Sequence, residues 1–133
     1  MNILRPVDIE EEIRKALNGY FATYVRPLPA KYTLPNLLIA ATGGSTSNTV
    51  DTFTVTLQAR ATEDADALEI LRTALGVLEY QAAHQIGALR HISVNSMASW
   101  GTDPARPDLK LCTMTAIVTA HREKYEKSTR RNN

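Results

Sequence analysis

The chain has 133 residues, 44% of them hydrophobic and 22% charged, which is enough to bury one core and too little for a second domain. Its single cysteine, Cys112, excludes an intramolecular disulfide and any multi-cysteine zinc module. The net charge is only +1, no run of 18 apolar residues offers a membrane span, and the start Met1-Asn2-Ile3-Leu4-Arg5-Pro6 lacks the apolar stretch of a signal peptide, so a soluble chain of a reducing cell interior is expected.

The first predicted element is a helix from about Pro6 to Tyr24. Ile9, Ile13, Ala16, Leu17, Tyr20, Phe21 and Tyr24 recur on one face, and Glu10, Glu11 and Glu12 complement the positive end of the helix dipole. Arg26-Pro27-Leu28-Pro29 stops it and opens an extended connection to Pro35. Leu37–Thr42 reads as a short strand and Val50–Arg60 as a longer one. In the second, Phe53, Val55, Leu57 and Ala59 face the core, and Thr52, Thr54, Thr56 and Gln58 face away. The turn-rich stretch 43–49 joins the two.

A second helix is predicted over 63–83 with Thr62 as N-cap, then strands at 89–100 and 109–121 joined by a loop at 101–108. Cys112, Met114, Ala116, Val118 and Ala120 share the core parity of the last strand, with Thr113, Thr115 and Thr119 opposite. The element order αββαββ predicts an α+β fold. The expected form is a two-layer α/β sandwich of about four mainly antiparallel strands with two helices on one face. Residues 1–121 form the single domain. Residues 122–133 are expected to be a basic, flexible tail, because residues 121–133 hold five basic side chains against two acidic ones and leave a mildly acidic body.

No catalytic constellation emerges from the spacing. His84, His91 and His121 form no i, i+4 pair for a metal, and Cys112, which could pair with His121 as nucleophile and base, has the parity of a buried strand face. Thr42-Gly43-Gly44-Ser45 lacks the lysine and spacing of a phosphate-binding loop and reads as a hairpin tip. Trp100, at a strand end, has the chemistry of an interface anchor or of a core cap. The threonine face is polar yet uncharged. It costs less to desolvate than a face of lysine and glutamate, and it suits packing against another subunit as well as ordinary strand propensity.

A short N-terminal helix, a proline-rich link, and Leu37-Leu38-Ile39-Ala40-Ala41-Thr42-Gly43-Gly44 come first. The strand ending Leu57-Gln58-Ala59-Arg60-Ala61-Thr62 then runs directly into Glu63-Asp64-Ala65, and a Trp100-Gly101-Thr102-Asp103-Pro104 loop precedes the last strand. In this order and character, residues 5–121 resemble the tail-terminator proteins of long-tailed bacteriophages. The resemblance implies a structural virion protein, not an enzyme, with no cofactor or metal and no membrane partner. It would form a homohexameric ring on the last ring of the tail tube, end tube polymerisation, and offer the docking surface for the head connector or neck protein. DNA would pass through the ring. Its place would be the head-proximal end of the virion tail, after assembly in the host cytoplasm. Under this reading the subunit or tube contacts are expected at Thr52, Thr54, Thr56, Gly43, Gly44, Ser45, Trp100 and Asp103. Arg122, Lys124, Lys127, Arg130 and Arg131 of the tail are expected to reach a neighbour or the connector. A neck or head–tail connector protein of the same particle is one alternative. A small cytoplasmic dimeric α+β enzyme or ligand-binding module is another, and it would need a pocket built on groups such as His84, His91, His121 and Cys112.

Overall fold

A computed structural model describes residues 3–47 and 50–125. The chain begins with a short strand β1 (Ile3–Arg5), then helix α1 (Ile9–Leu17). Asp8 caps this helix, its side chain accepting from the Glu11 backbone N–H at 3.3 Å, while Glu10–Glu12 and Arg14–Lys15 suit the two ends of the dipole. Ile9, Ile13 and Leu17 are buried.

The helix expected to run from Pro6 to Tyr24 is therefore shorter at both ends. Asn18 and Gly19 are weak helix formers, and Ala22–Val25 is a strand, β2, paired in parallel with Asn36–Ile39. Thr23, Tyr24 and Val25 are the β-branched and aromatic types that fit a pleated surface. Because the helix ends at Leu17, Tyr20 turns outward and is 63% exposed.

Strand β3 (Asn36–Thr46) forms a hairpin with β4 (Val50–Ala61), with a register shift between Ala41 and Gly43. Its pairing runs out to Thr46–Asp51, so Gly43, Gly44 and Ser45 belong to the ladder and not to a turn. Helix α2 (Asp64–Ala83) follows, with Glu63 at the cap position and no side-chain cap bond; Thr62, expected to cap it, does not. Strands β5 (Leu89–Asp103) and β6 (Arg106–His121) pair to the last residue before Pro104-Ala105, which replaces the eight-residue loop expected at 101–108. A final strand β7 (Glu123–Tyr125) pairs antiparallel with β1.

The main sheet has five strands in the order β2-β3-β4-β6-β5, and β1-β7 is a separate two-stranded sheet. This overturns the expected two-layer α/β sandwich of about four strands: the chain is mostly β, 52% strand and 24% helix. The additional strands come from three short segments, at 3–5, 22–25 and 123–125. Segments of three or four residues carry no usable periodicity, and pairing with a distant partner makes each a strand.

Both helices lie against the main sheet, α2 across β3 to β6 and α1 against β2, β3 and α2. Between them the core is continuous, from Ile13 and Leu17 through Leu37, Ile39, Val55 and Leu57 to Leu78, Met114 and Val118. Each such side chain contributes about 1.5–3 kcal/mol by leaving water. The residues of opposite parity on β4 and β6 point to the other side of the sheet.

Candidate functional site

That other side holds the threonines. Across β4 and β6, Thr52 stands opposite Thr119, Thr56 opposite Thr115 and Gln58 opposite Thr113, while Thr54 faces Ile117. Gln58 Nε2 donates to Thr113 Oγ1 at 3.2 Å. The rows continue onto β3 through Leu38 and Ala40, and onto β5 through Ser93, Ser96 and Ser99. The face thus crosses four strands without a charged side chain in its middle, and its threonines are half-buried against one another. Such a surface loses little hydration when a neighbour covers it. Its outer border is β5, an edge strand of 15 residues whose register shifts repeatedly.

The charges gather at one end. Arg60 continues the polar parity of β4 and is buried; its Nη2 lies 3.6 Å from Asp103 Oδ2. Its Nε and Nη1 have no hydrogen-bond partner, and neither has Oδ1 of Asn36, directly opposite on β3. Asp103, expected as an outward contact, is instead committed twice, since it also accepts from the Ala105 N–H at 2.9 Å and so shapes the β5–β6 turn. The sequence signal for Arg60 was its place at the end of Thr52-x-Thr54-x-Thr56-x-Gln58-x-Arg60, but nothing local says that the chain folds over it.

Of the other expected contact residues, Gly43, Gly44 and Ser45 sit exposed on the outer half of β3, beside Thr54, Phe53 and Thr52. Trp100 is not at a strand end: it lies within β5, opposite Cys112, and is 50% exposed near Asp64 at the start of α2. The basic residues divide. Arg122 is fixed by a bidentate ion pair in which Nε and Nη2 donate to Asp51 at 3.1 Å each, and Lys124 belongs to β7. Residues 122–125 are thus built into the fold and not part of a loose tail; Lys127, Arg130 and Arg131 lie outside the described residues.

A groove of mixed polarity was not legible beforehand. Tyr20, Gly76, Val77, Tyr80, Gln81 and Ile86 line a recess of about 500 Å3 on the helix layer, and Tyr80 is 58% exposed with its ring stacked on His84 at 4.1 Å. The two tyrosines are 60 residues apart in sequence, so only packing of the segment after α1 against α2 joins them.

The reactive groups do not converge. Cys112 and His121 lie on one strand, nine residues and roughly 30 Å apart, on opposite faces. Burial pushes the Cys112 thiol above its ordinary range, which suppresses the thiolate, the nucleophilic form. A thiol reagent is therefore expected to leave the native chain unlabelled at neutral pH and to react within the time of unfolding in denaturant; rapid native labelling would contradict this burial. Among the described residues no group of three or more His, Cys, Asp or Glu side chains is placed to hold a metal. No helix among them is long and apolar enough to cross a membrane. Compared with known protein families and with curated proteins, the chain matches none.

Proposed function

We propose that this chain is a structural virion protein, a tail terminator that closes into a ring on the end of a phage tail tube and offers the docking surface for the head connector. The observation that carries the reading is the sheet face of Thr52, Thr54, Thr56, Thr113, Thr115 and Thr119, without a charged side chain in its middle and, among the described residues, on the side of the sheet opposite both helices. A ring requires a heterologous contact, in which one patch of each subunit meets a different patch of the next. A face that is cheap to desolvate, bordered by the open edge of β5, is suited to one half of that contact. The sequence resemblance over residues 5–121 supplies the particle and the position on it.

Native mass spectrometry across a concentration series, with negative-stain imaging, tests the reading. The expected result is a closed hexamer, alone or on the ends of tail tubes assembled without this protein. Capping of those tube ends separates a terminator from a neck or connector protein, which would bind the head side instead. A chain that stays monomeric or dimeric and leaves tube ends uncapped would overturn the proposal.

A further inference from the structure

The two margins of the main sheet are finished differently. On one, β5 runs for 15 residues with no further strand beside it among the described residues. On the other, β2 covers β3 only from Asn36 to Ile39, because Arg26-Pro27-Leu28-Pro29 turns the chain away after Val25. Strand β3 itself continues to Thr46. Backbone orientation repeats at every second residue of a strand, so Ala41 is the next position after Ile39 to present its N–H and C=O to that side. Both groups are taken, and by side chains. Glu10 Oε2 accepts from the Ala41 N–H at 2.8 Å, and Arg26 Nη2 donates to the Ala41 carbonyl oxygen at 2.9 Å. The two side chains also hold each other, Arg26 Nε donating to the same Oε2 at 2.9 Å.

We infer that Glu10 and Arg26 form a side-chain clasp that bars a second copy of this chain from adding a strand at the β3 edge. Together they offer Ala41 one acceptor and one donor, which is what one rung of a paired strand offers. Glu10 comes from the first turn of α1 and Arg26 from the residue after β2, so the three bonds close only in the folded chain. The carboxylate is sheltered, with 19% of the Glu10 side chain exposed, which limits competition from water. An unpaired strand edge is a template for another chain. Beyond Ala41 this edge has little else to repel one, because Gly43, Gly44 and Ser45 are exposed and carry neither charge nor bulk. The comer against which the clasp acts is β5 of another copy, the long open margin of the same sheet. Pairing of β5 on one copy with β3 on the next is a head-to-tail contact that repeats, and without closure it builds an open filament. The clasp removes that route and leaves the sheet face for specific contacts. This inference goes beyond the ring reading and does not rest on it.

The double variant Glu10→Ala/Arg26→Ala tests the clasp by amide exchange at Ala41 and by sedimentation velocity across a concentration series. Exchange at Ala41 is expected to speed up about tenfold, and species larger than any of the wild type to appear at about tenfold lower concentration, the scale of one hydrogen bond. Adding Thr46→Lys, on the same edge, is expected to remove those species, since lysine on an edge strand blocks pairing. An Ala41 amide that exchanges as in the wild type overturns the clasp. Faster exchange with association unchanged overturns its barring role, and larger species that survive Thr46→Lys overturn the choice of edge. Should the double variant lose the circular dichroism of the native chain, Arg26→Ala alone takes its place, because that side chain is 57% exposed and its loss frees the Ala41 carbonyl without touching the core. It is expected to associate at a concentration between the two, and failure to do so overturns the bar equally. Capping of tube ends decides the ring reading separately.

Discussion

Arg122→Ala is expected to cost about 3 kcal/mol of unfolding free energy, lowering the thermal midpoint by about 10 °C. The reason is what the substitution leaves behind. Asp51 has 2% of its side chain exposed, and its carboxylate is met by both Nε and Nη2 of Arg122. A bidentate pair of this kind is strong because two parallel charge-assisted bonds share one geometry. Without the guanidinium the carboxylate stays buried on β4 with no counter-charge, and that uncompensated charge is the larger part of the loss. Asp51→Asn added to Arg122→Ala is therefore expected to recover about half of the lost stability, since a neutral amide costs less to bury. Arg122→Lys should be intermediate, because an ammonium cannot make the two-pronged contact. Urea unfolding with a fixed slope provides the reading. A loss under about 0.5 kcal/mol, the ordinary figure for a surface residue, would mean that the pair is not formed.

The same contact bears on the terminal strands. Arg122 joins β6 to β7, and among the described residues β7 is paired only with β1. A two-stranded ribbon is marginal in isolation; here it is tethered by Arg122–Asp51 and closed by Arg5, whose Nε donates to Glu123 at 2.6 Å and whose guanidinium lies 4.7 Å over the Tyr125 ring. Amide exchange in residues 3–5 and 123–125 is expected to rise sharply in Arg122→Ala, ahead of the main sheet.

Gly44→Ala is expected to be nearly as damaging, at about 3 kcal/mol, while Gly43→Ala stays within about 1 kcal/mol. An added Cβ at Gly44 would run into the carbonyl oxygen of Thr52 and press on Cα of Phe53 at 3.0 Å, both backbone atoms of the paired strand. Backbone in a ladder cannot step aside without parting hydrogen bonds, so the outer half of the β3–β4 hairpin should fray. At Gly43 a Cβ meets nothing within 4 Å, so the cost there is confined to the backbone angle, φ +159°. Hydrogen exchange of residues 43–47 and 50–54 in each variant distinguishes the two, and equal effects would contradict the close approach. The result also separates two roles that both point to this glycine pair: a surface contact with a neighbour would show as lost assembly at preserved stability, whereas the clash predicts lost stability in the isolated chain.

How much of this was readable in advance follows the range over which each feature is decided. The alternation of Val55, Leu57 and Ala59 against Thr54, Thr56 and Gln58, and of Cys112 to Ala120 against Thr113, Thr115 and Thr119, is a local period. It placed the threonines together on one face before any partner strand was known. The spacing of Ile9, Ile13 and Leu17, and the stripe from Ala67 to Leu78, likewise determined two helices and the sides they bury. The fold class did not follow, because the short strands β1, β2 and β7 exist only by pairing with segments far away in the chain. Tyr24 read as the last residue of a helix face and Arg122 as the first of a tail, yet parallel pairing with β3 and an ion pair with Asp51 place both in the body. Burial of Arg60 under Asp103, the exposure of Trp100 on an edge strand, and the meeting of Tyr20 with Tyr80 are likewise matters of which surfaces meet. Hydrophobic period is a property of neighbours in sequence, and sequence alone settled it; charge burial, strand order and grooves are properties of neighbours in space, and only the tertiary structure decided them.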